Sequence, residues 1–276
     1  MIVHLVDGTY ELFRHFYGLR RFTKGKDRPF GAVVGVLQTV LQMLETGATH
    51  IGVATDHVIE SFRNDLWSDY KTGDGIEPAL VAQFHPLEAA LAAMGVAVWP
   101  MVEQEADDGL AAAARIASED PRVEKVCIWT PDKDLAQCVV DDRVVQIDRR
   151  TLKIRNADGV REKFGVPPRL IPDLLALIGD TADGYPGIPG IGAVTAARLL
   201  NQHGPIEDFP AEVLGKHRDL ALLFKNLATL RTSAPLFADV EELRWRGPTE
   251  GFQAFAEHIE PGTTRLLDRS RKAAIG

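Results

Sequence analysis

The chain has 276 residues, 45% hydrophobic and 25% charged, which suits a globular protein with a substantial core. No stretch approaches the roughly 20 unbroken apolar residues of a membrane helix, and the start, MIVHLVDGTYELF, carries neither a basic leader nor a cleavage-like tail. Only Cys127 and Cys138 are present, which excludes a disulfide framework and suits a reducing, cytoplasmic setting, and a net charge of −8 argues at first against a nucleic-acid partner.

In chain order, IVHLV (2–6) reads as the first strand and is followed by Asp7, Gly8 and Thr9. Alone, this DGT fits either the second half of a phosphatase D-x-D-G-T loop or a metal-holding aspartate at a strand end. Leu5 stands where the phosphatase loop needs its nucleophilic aspartate, which removes that mechanism. Thr9 is expected to cap the next helix. FGAVVGVLQTVLQML (30–44) shows apolar spacing near 3.6 and predicts a helix. HIGVAT (50–55) is the second strand, with Asp56 behind it, and PALVAQFHPLEAALAAM (78–94) predicts another helix. VAVW (96–99) is the third strand; Glu105, Asp107 and Asp108 in EQEADDGL then open a helix over 106–117. KVCIW (125–129) is the fourth, followed by Asp132 and Asp134 in TPDKDL, and RVVQI (143–147) is the fifth. From about 157 the strand signals stop. REKFG, DLLALIG, AVTAARLLNQHG and LALLFKNLATLRTS predict a helical second part, with Asp180 and Asp183 in GDTADG at a helix end.

Alternating strands and helices imply an α/β fold whose mostly parallel sheet is flanked by helices. In such sheets ligands bind beyond the carboxyl ends of the strands, and each of the first four strands has acid there. A lone Asp at a helix start is commonly an N-cap or dipole partner, so Asp7 or Asp56 alone decides nothing. Nine acids converging on one edge, however, would repel one another strongly unless cations were present. Oxygen ligands without histidine or cysteine select Mg²⁺ or Mn²⁺, and two such ions suit displacement at phosphorus. Nine acids exceed the whole acidic excess of eight. The remainder is free to carry basic patches, such as GLRRFTKGKDR (18–28) and DRRTLKIR (148–155).

GYPGIPGIGAVTAARLL (184–200) packs glycines and prolines into a tight turn and then opens a helix. Gly187, Ile188, Gly190, Ile191, Gly192 and Thr195 are candidates to grip a phosphate backbone through amides and the helix N-terminus. Carbonyls of the same turn are a candidate K⁺ site. An ordinary glycine-packed corner is the plainer alternative. Upstream, if SFRNDLWSDYK is helical, Arg63, Trp67, Tyr70 and Lys71 share a face suited to a phosphate and a stacked base. Burial of Trp67 and Tyr70 against the sheet is the alternative there.

LVDG, SFR…DYK, EADD, TPDKDL, GDTADG and PGIPGIG occur in the order found in 5′→3′ exonucleases and flap endonucleases. Over about residues 1–260 the chain resembles that family, nearest to the N-terminal nuclease domain of bacterial DNA polymerase I and its stand-alone homologues. The resemblance implies a PIN-like nuclease domain over 1–160 with a helical arch near 60–80. It further implies a helical DNA-binding region over 161–276 with a helix–three-turn–helix, or helix–hairpin–helix, module near 174–203. It implies a monomer that cuts DNA at a 5′ end, flap or branch with two metals. By motif, Asp7, Asp56, Glu105 and Asp107 match ligands of the first metal. Asp108, Asp132, Asp134 and Asp183 match the second cluster, supported by Asp180. Arg63 and Lys71 match arch cations, and Tyr70 a base-stacking residue. There are departures: Asp74 replaces a basic residue, Trp67 a tyrosine, and Gly184 an asparagine, which predicts a looser turn at Asp183. A flap-binding protein with weakened cleavage is the rival reading. A PIN-type ribonuclease is disfavoured by the chain's length and its hairpin module.

Overall fold

The near-continuous apolar runs of the predicted strands reflect a sheet covered on both faces. The structure, a computed structural model, describes residues 1–23 and 28–275, with backbone only at 21 and 22, so the basic stretch 18–28 lies partly outside the described residues. Six strands, β1 (Ile2–Asp7), β2 (His50–Asp56), β3 (Ala97–Met101), β4 (Lys125–Trp129), β5 (Val144–Ile147) and β6 (Ile154–Arg155), form one sheet in the order β3-β2-β1-β4-β5-β6. All neighbours pair in parallel except β5 and β6. The chain builds outward from β1 through β2 to β3 and then returns to place β4 on the other side of β1. The strand order therefore reverses between β1 and β4, where a crevice opens at the carboxyl ends.

Helices α1 (Gly8–Thr23), α2 (Gly31–Glu45), α3 (Phe62–Leu66), α4 (Pro78–Val81), α5 (Phe84–Ala93) and α6 (Ala106–Glu119) connect the first four strands. Beyond the sheet lie α7 (Ala157–Phe164), α8 (Ile171–Ile178), α9 (Ala193–His203), α10 (Ala211–Leu214), α11 (Arg218–Ala228), α12 (Phe252–Ile259) and α13 (Arg265–Ala273). Strand alternation divides β1 between two cores. Val6 faces one with Phe16, Leu37, Leu91 and, from the far end of the chain, Phe252 and Leu266. Val3 and Leu5 face the other with Leu110, Ile128, Phe237 and Leu243. A third core joins Leu174, Leu177, Ile188, Leu200 and Phe224 to Tyr70 and Tyr185.

Two expectations change. The helix predicted over 78–94 is two helices, because Pro86 in the first turn of α5 has no amide hydrogen and its ring would crowd the carbonyl of Ala82. At the break, the buried Gln83 accepts hydrogen bonds from the amides of Ala32 and Val33, at 3.1 and 3.3 Å, and so caps α2 from a distance. The basic stretch 148–155 is a hairpin that adds β6, with Arg150 and Lys153 exposed on it.

The segment read as an arch is also different. Helix α3 is only five residues long, and Trp67 at its end is extended, with φ −145° and ψ 111°. Arg63, Trp67, Tyr70 and Lys71 therefore do not share a helical face. Arg63 is 1% exposed. Its guanidinium donates to both carboxylate oxygens of Asp108, at 2.6 and 2.8 Å, and to Glu105 at 3.0 Å. It also donates to the carbonyls of Leu227 and Thr229, at 2.7 and 3.2 Å, closing the C-terminal end of α11. Replacing Arg63 with Ala leaves Asp108 buried and unpaired. We expect a loss of about 3–5 kcal/mol of unfolding free energy, read from the urea midpoint at constant slope.

Candidate metal centre

Asp7 ends β1 and Asp56 ends β2, each 5% exposed. One oxygen of Asp7 accepts the Tyr10 amide at 2.8 Å, so Asp7 itself caps α1; the other accepts the Thr130 hydroxyl at 3.1 Å. Thr9 is not the cap. Its hydroxyl accepts the Asp56 amide at 2.8 Å and fixes the end of β2 beside β1. Asp56 in turn accepts the Ala106 amide at 2.8 Å and steadies the start of α6. These acids, with Thr9, Tyr10, Phe13, Lys71, Glu105, Asp107 and Asp132, line a cleft of about 220 Å³ at the strand-order reversal. Larger hollows between α12 and α13 (about 470 Å³) and beside α1 and α2 (about 400 Å³) lack this concentration of carboxylates, and chemistry rather than volume singles out the cleft.

Two triads of carboxylates can each bring oxygen atoms within 4.8 Å of one another, Asp107–Asp132–Asp134 and Asp134–Asp180–Asp183. They share Asp134, whose Oδ1 is buried without a hydrogen-bond partner among the described residues. Such an oxygen, in an all-carboxylate donor set, fits a hard divalent cation. Lys71 lies over the other end of the cleft, with Nζ 3.6 Å from both Asp56 and Glu105.

The remaining sequence candidates divide. Asp108 is fully buried, and its oxygens accept Arg63 and the amides of Glu105 and Arg231, at 3.0 and 2.7 Å for the amides. It turns away from the cleft because adjacent residues on a helix point about 100° apart, and it belongs to neither of the two carboxylate triads. Arg63, expected with Lys71 as an arch cation, is buried against Asp108 instead. Tyr70 is 3% exposed and its hydroxyl lies 3.5 Å from Glu105; Trp67 packs edge-on against Phe224 and donates to the Gly184 carbonyl at 3.1 Å. The buried Tyr70 offers no free face to a base, whereas Trp67 is half-buried with its ring at 87° to that of Phe224. Asp180 pairs with Lys133 and accepts the Ala182 amide at 3.0 Å. In the hairpin, Gly187 and Ile188 are buried, with Gly187 at φ +73° against the backbone of Gly179 and the Ile188 amide on the Leu177 carbonyl at 2.8 Å. Gly190 and Gly192 are exposed, Ile191 and Thr195 partly so, beside the start of α9. The turn at Asp183 is not loose: Lys71 donates its amide to the Asp183 carbonyl at 3.0 Å, and Asp180 and Tyr185 bridge across it.

Residues 2–165 match the family model of the 5′-3′ exonuclease N-terminal resolvase-like domain, and residues 166–251 that of the 5′-3′ exonuclease C-terminal SAM fold. The chain belongs to the 5′-3′ exonuclease family. It is 30% identical to a 5′-3′ exonuclease of Aquifex aeolicus, over 89% of this chain and 87% of that protein. It is 35% identical to DNA polymerase I of Pseudomonas aeruginosa over 87% of this chain, spanning only 28% of the polymerase. In three dimensions it is similar to the T5 D15 protein co-crystallized with metal ions, with a TM-score of 0.68 at 17% identity, covering 99% and 98% of the two chains. The catalytic core of Rad2 in complex with a DNA substrate follows at 0.64 and 13% identity, covering 99% and 91%. At those identities the likeness concerns the fold.

In this exonuclease-family cleft several supporting residues were not singled out from sequence. Thr130 and Lys133 lie within the quoted TPDKDL motif, yet only its acids were read as functional. Ser61 donates to Glu105 at 2.8 Å, a role that no local spacing announces. No helix among the described residues is long and apolar enough to cross a membrane.

Crowding sets the protonation of the centre. Burial, with Asp56 and Asp132 nearby, pushes Asp7 up to about 7 against the pull of the Tyr10 amide. Desolvation, with Asp180 and Glu105 nearby, raises Asp183 to about 7 as well. Asp107 and Asp134 rise well above the usual range through burial and then Asp132. Burial lowers the Lys71 ammonium, but Asp56 and Glu105 outweigh it and the net shift is upward. Without metal, the folded protein holds protons that the unfolded chain has already released between about pH 4 and 7, so folding stability falls as pH rises through that window. Divalent cations held by these carboxylates would take the protons' place. We therefore expect the Mg²⁺-induced rise in Tm over EDTA-treated protein to grow by at least about 4 °C between pH 5 and 7.5; an equal rise at both pH values would refute the assignment.

Proposed function

We propose that the chain is a structure-specific 5′ nuclease that hydrolyses DNA phosphodiester bonds at a 5′ end or flap, with two divalent cations, Mg²⁺ or Mn²⁺. The observation that carries this reading is the pair of carboxylate triads sharing Asp134 at the strand-order reversal. Asp7, Asp56, Glu105, Asp107, Asp132, Asp134 and Asp183 are the proposed ligands, with Asp180 held by Lys133 at the margin. Cations there would offset charge developing on the phosphoryl oxygens and activate the attacking water. Lys71 holds a positive charge over the carboxylates and orients the scissile phosphate. Thr130 and the Tyr10 and Ala106 amides fix the directions of Asp7 and Asp56.

The exposed Gly190 and Gly192 and the partly exposed Thr195, at the start of α9, hold the DNA strand by its phosphates, and a K⁺ ion at the carbonyls of that turn belongs to the same proposal. Residues 1–160 act as the nuclease domain and 161–276 as the DNA-gripping region, in a monomer working in replication or repair.

Asp132→Asn and Asp7→Ala should each lower Mg²⁺-dependent cleavage of a 5′-flap duplex by more than about a hundredfold, beyond the 10–100-fold typical when only an outer partner of a ligand is lost. Flap binding by the variants should stay within about threefold of wild type. Tight binding without wild-type cleavage would favour the rival reading of a flap-binding protein. Binding should also weaken with salt at a slope of about −3 or steeper in log–log form, as expected for several phosphate contacts, measured by fluorescence anisotropy.

A further inference from the structure

Residues 67–71 form a short strap across the Asp183 turn, held from both sides. From α3, the Asn64 side-chain amide donates to the carbonyls of Tyr70 and Lys71, at 3.1 and 3.2 Å. From the turn, the carbonyl of Asp183 accepts the Lys71 amide at 3.0 Å and that of Gly184 accepts the Trp67 indole at 3.1 Å. The two runs of backbone touch at Gly184. Its φ is +79°, and a Cβ there would overlap the carbonyl oxygen of Asp69 and sit 3.0 Å from its carbonyl carbon. Backbone cannot swing aside as a flexible side chain can, so a larger residue must push the strap and the turn apart.

We propose that Gly184 is a positioning residue: its missing side chain lets the strap seat on the Asp183 turn and so sets the Lys71 ammonium over Asp56 and Glu105 before any substrate is present. The strap, rather than the sheet, then carries the cation. A shift of the strap moves the Lys71 ammonium relative to Asp7 and Asp56, which the sheet fixes separately. The catalytic part of this inference rests on the nuclease reading; the seating of the strap does not.

Three variants separate the contributions. Gly184→Ala adds the Cβ. Gly184→Asn adds the same atom in a residue that tolerates positive φ. Trp67→Phe keeps the ring on Phe224 but removes the indole donor. Each is first checked for native circular dichroism. Hydrogen–deuterium exchange over 67–72 should speed up at least tenfold in both Gly184 variants and by a smaller factor in Trp67→Phe. Single-turnover flap cleavage should drop about tenfold or more in the Gly184 variants, with DNA affinity within about twofold. In a Lys71→Ala background, adding Gly184→Ala should cause little further loss, because both changes act through one group. Unchanged exchange, full rescue by Asn, or additive losses in the double variant would each overturn the proposal. If the wild type does not cleave, the nuclease reading falls while the exchange data still decide the seating of the strap. If Gly184→Ala does not fold, Trp67→Phe decides it, unchanged exchange again counting against.

Discussion

Like charges at the end of a parallel sheet repel one another, and in this protein nearly everything around the cleft answers that repulsion. Nine carboxylates gather near one sheet edge, where the low-dielectric surroundings strengthen each interaction. The fold sorts them. Asp108 is matched internally by Arg63, Asp180 by Lys133, and Asp56 and Glu105 are partly balanced by Lys71. Among the described residues, Asp7, Asp107, Asp132, Asp134 and Asp183 form no ion pair with a protein cation, and burial raises Asp7, Asp107, Asp134 and Asp183 above the usual carboxylate range. The acids at the cleft thus differ in how far the protein neutralises them itself: Asp108 fully, Asp56 and Glu105 in part.

The edge carrying the acids was legible in the sequence, because strand–helix alternation places every strand's carboxyl end on one side. Asp7, Asp56, Asp132 and Asp134 fall where that rule puts them. The rule cannot tell Asp107 from its neighbour Asp108: a helix points the two about 100° apart, and which one faces the cleft depends on how α6 lies against the sheet. Arg63 shows the limit more sharply. Its carbonyl partners are 164 and 166 residues away, so no local spacing reveals that this cation is buried. Pro86, by contrast, was readable in the sequence as a break within 78–94, and the apolar periodicity around it hid the signal.

Gly184 illustrates a different failure. Viewed along the chain, glycine in place of asparagine predicts a looser turn. In space it permits a closer one, because flexibility matters less there than the room a Cβ would take from Asp69. The hairpin behaves similarly: the same run PGIPGIG supplies a buried half, Gly187 and Ile188, that packs against α8, and an exposed half, Gly190 and Gly192, that faces solvent.

Arg63 also bears on modularity. It lies in the segment matched by the N-terminal family model, yet it closes the end of α11, in the segment matched by the C-terminal one. Tyr70 likewise buries its ring in a core whose other fully buried residues lie beyond 135. Two segments that sequence comparison treats as separable therefore share a buried charge pair and a core. Severing them at residue 165 would strip this guanidinium of its carbonyls and leave Tyr70 without its neighbours, a loss large against the 5–15 kcal/mol that typically holds a native protein together. Recombination at that boundary should be rare in descent, and the two halves should be inherited as one unit.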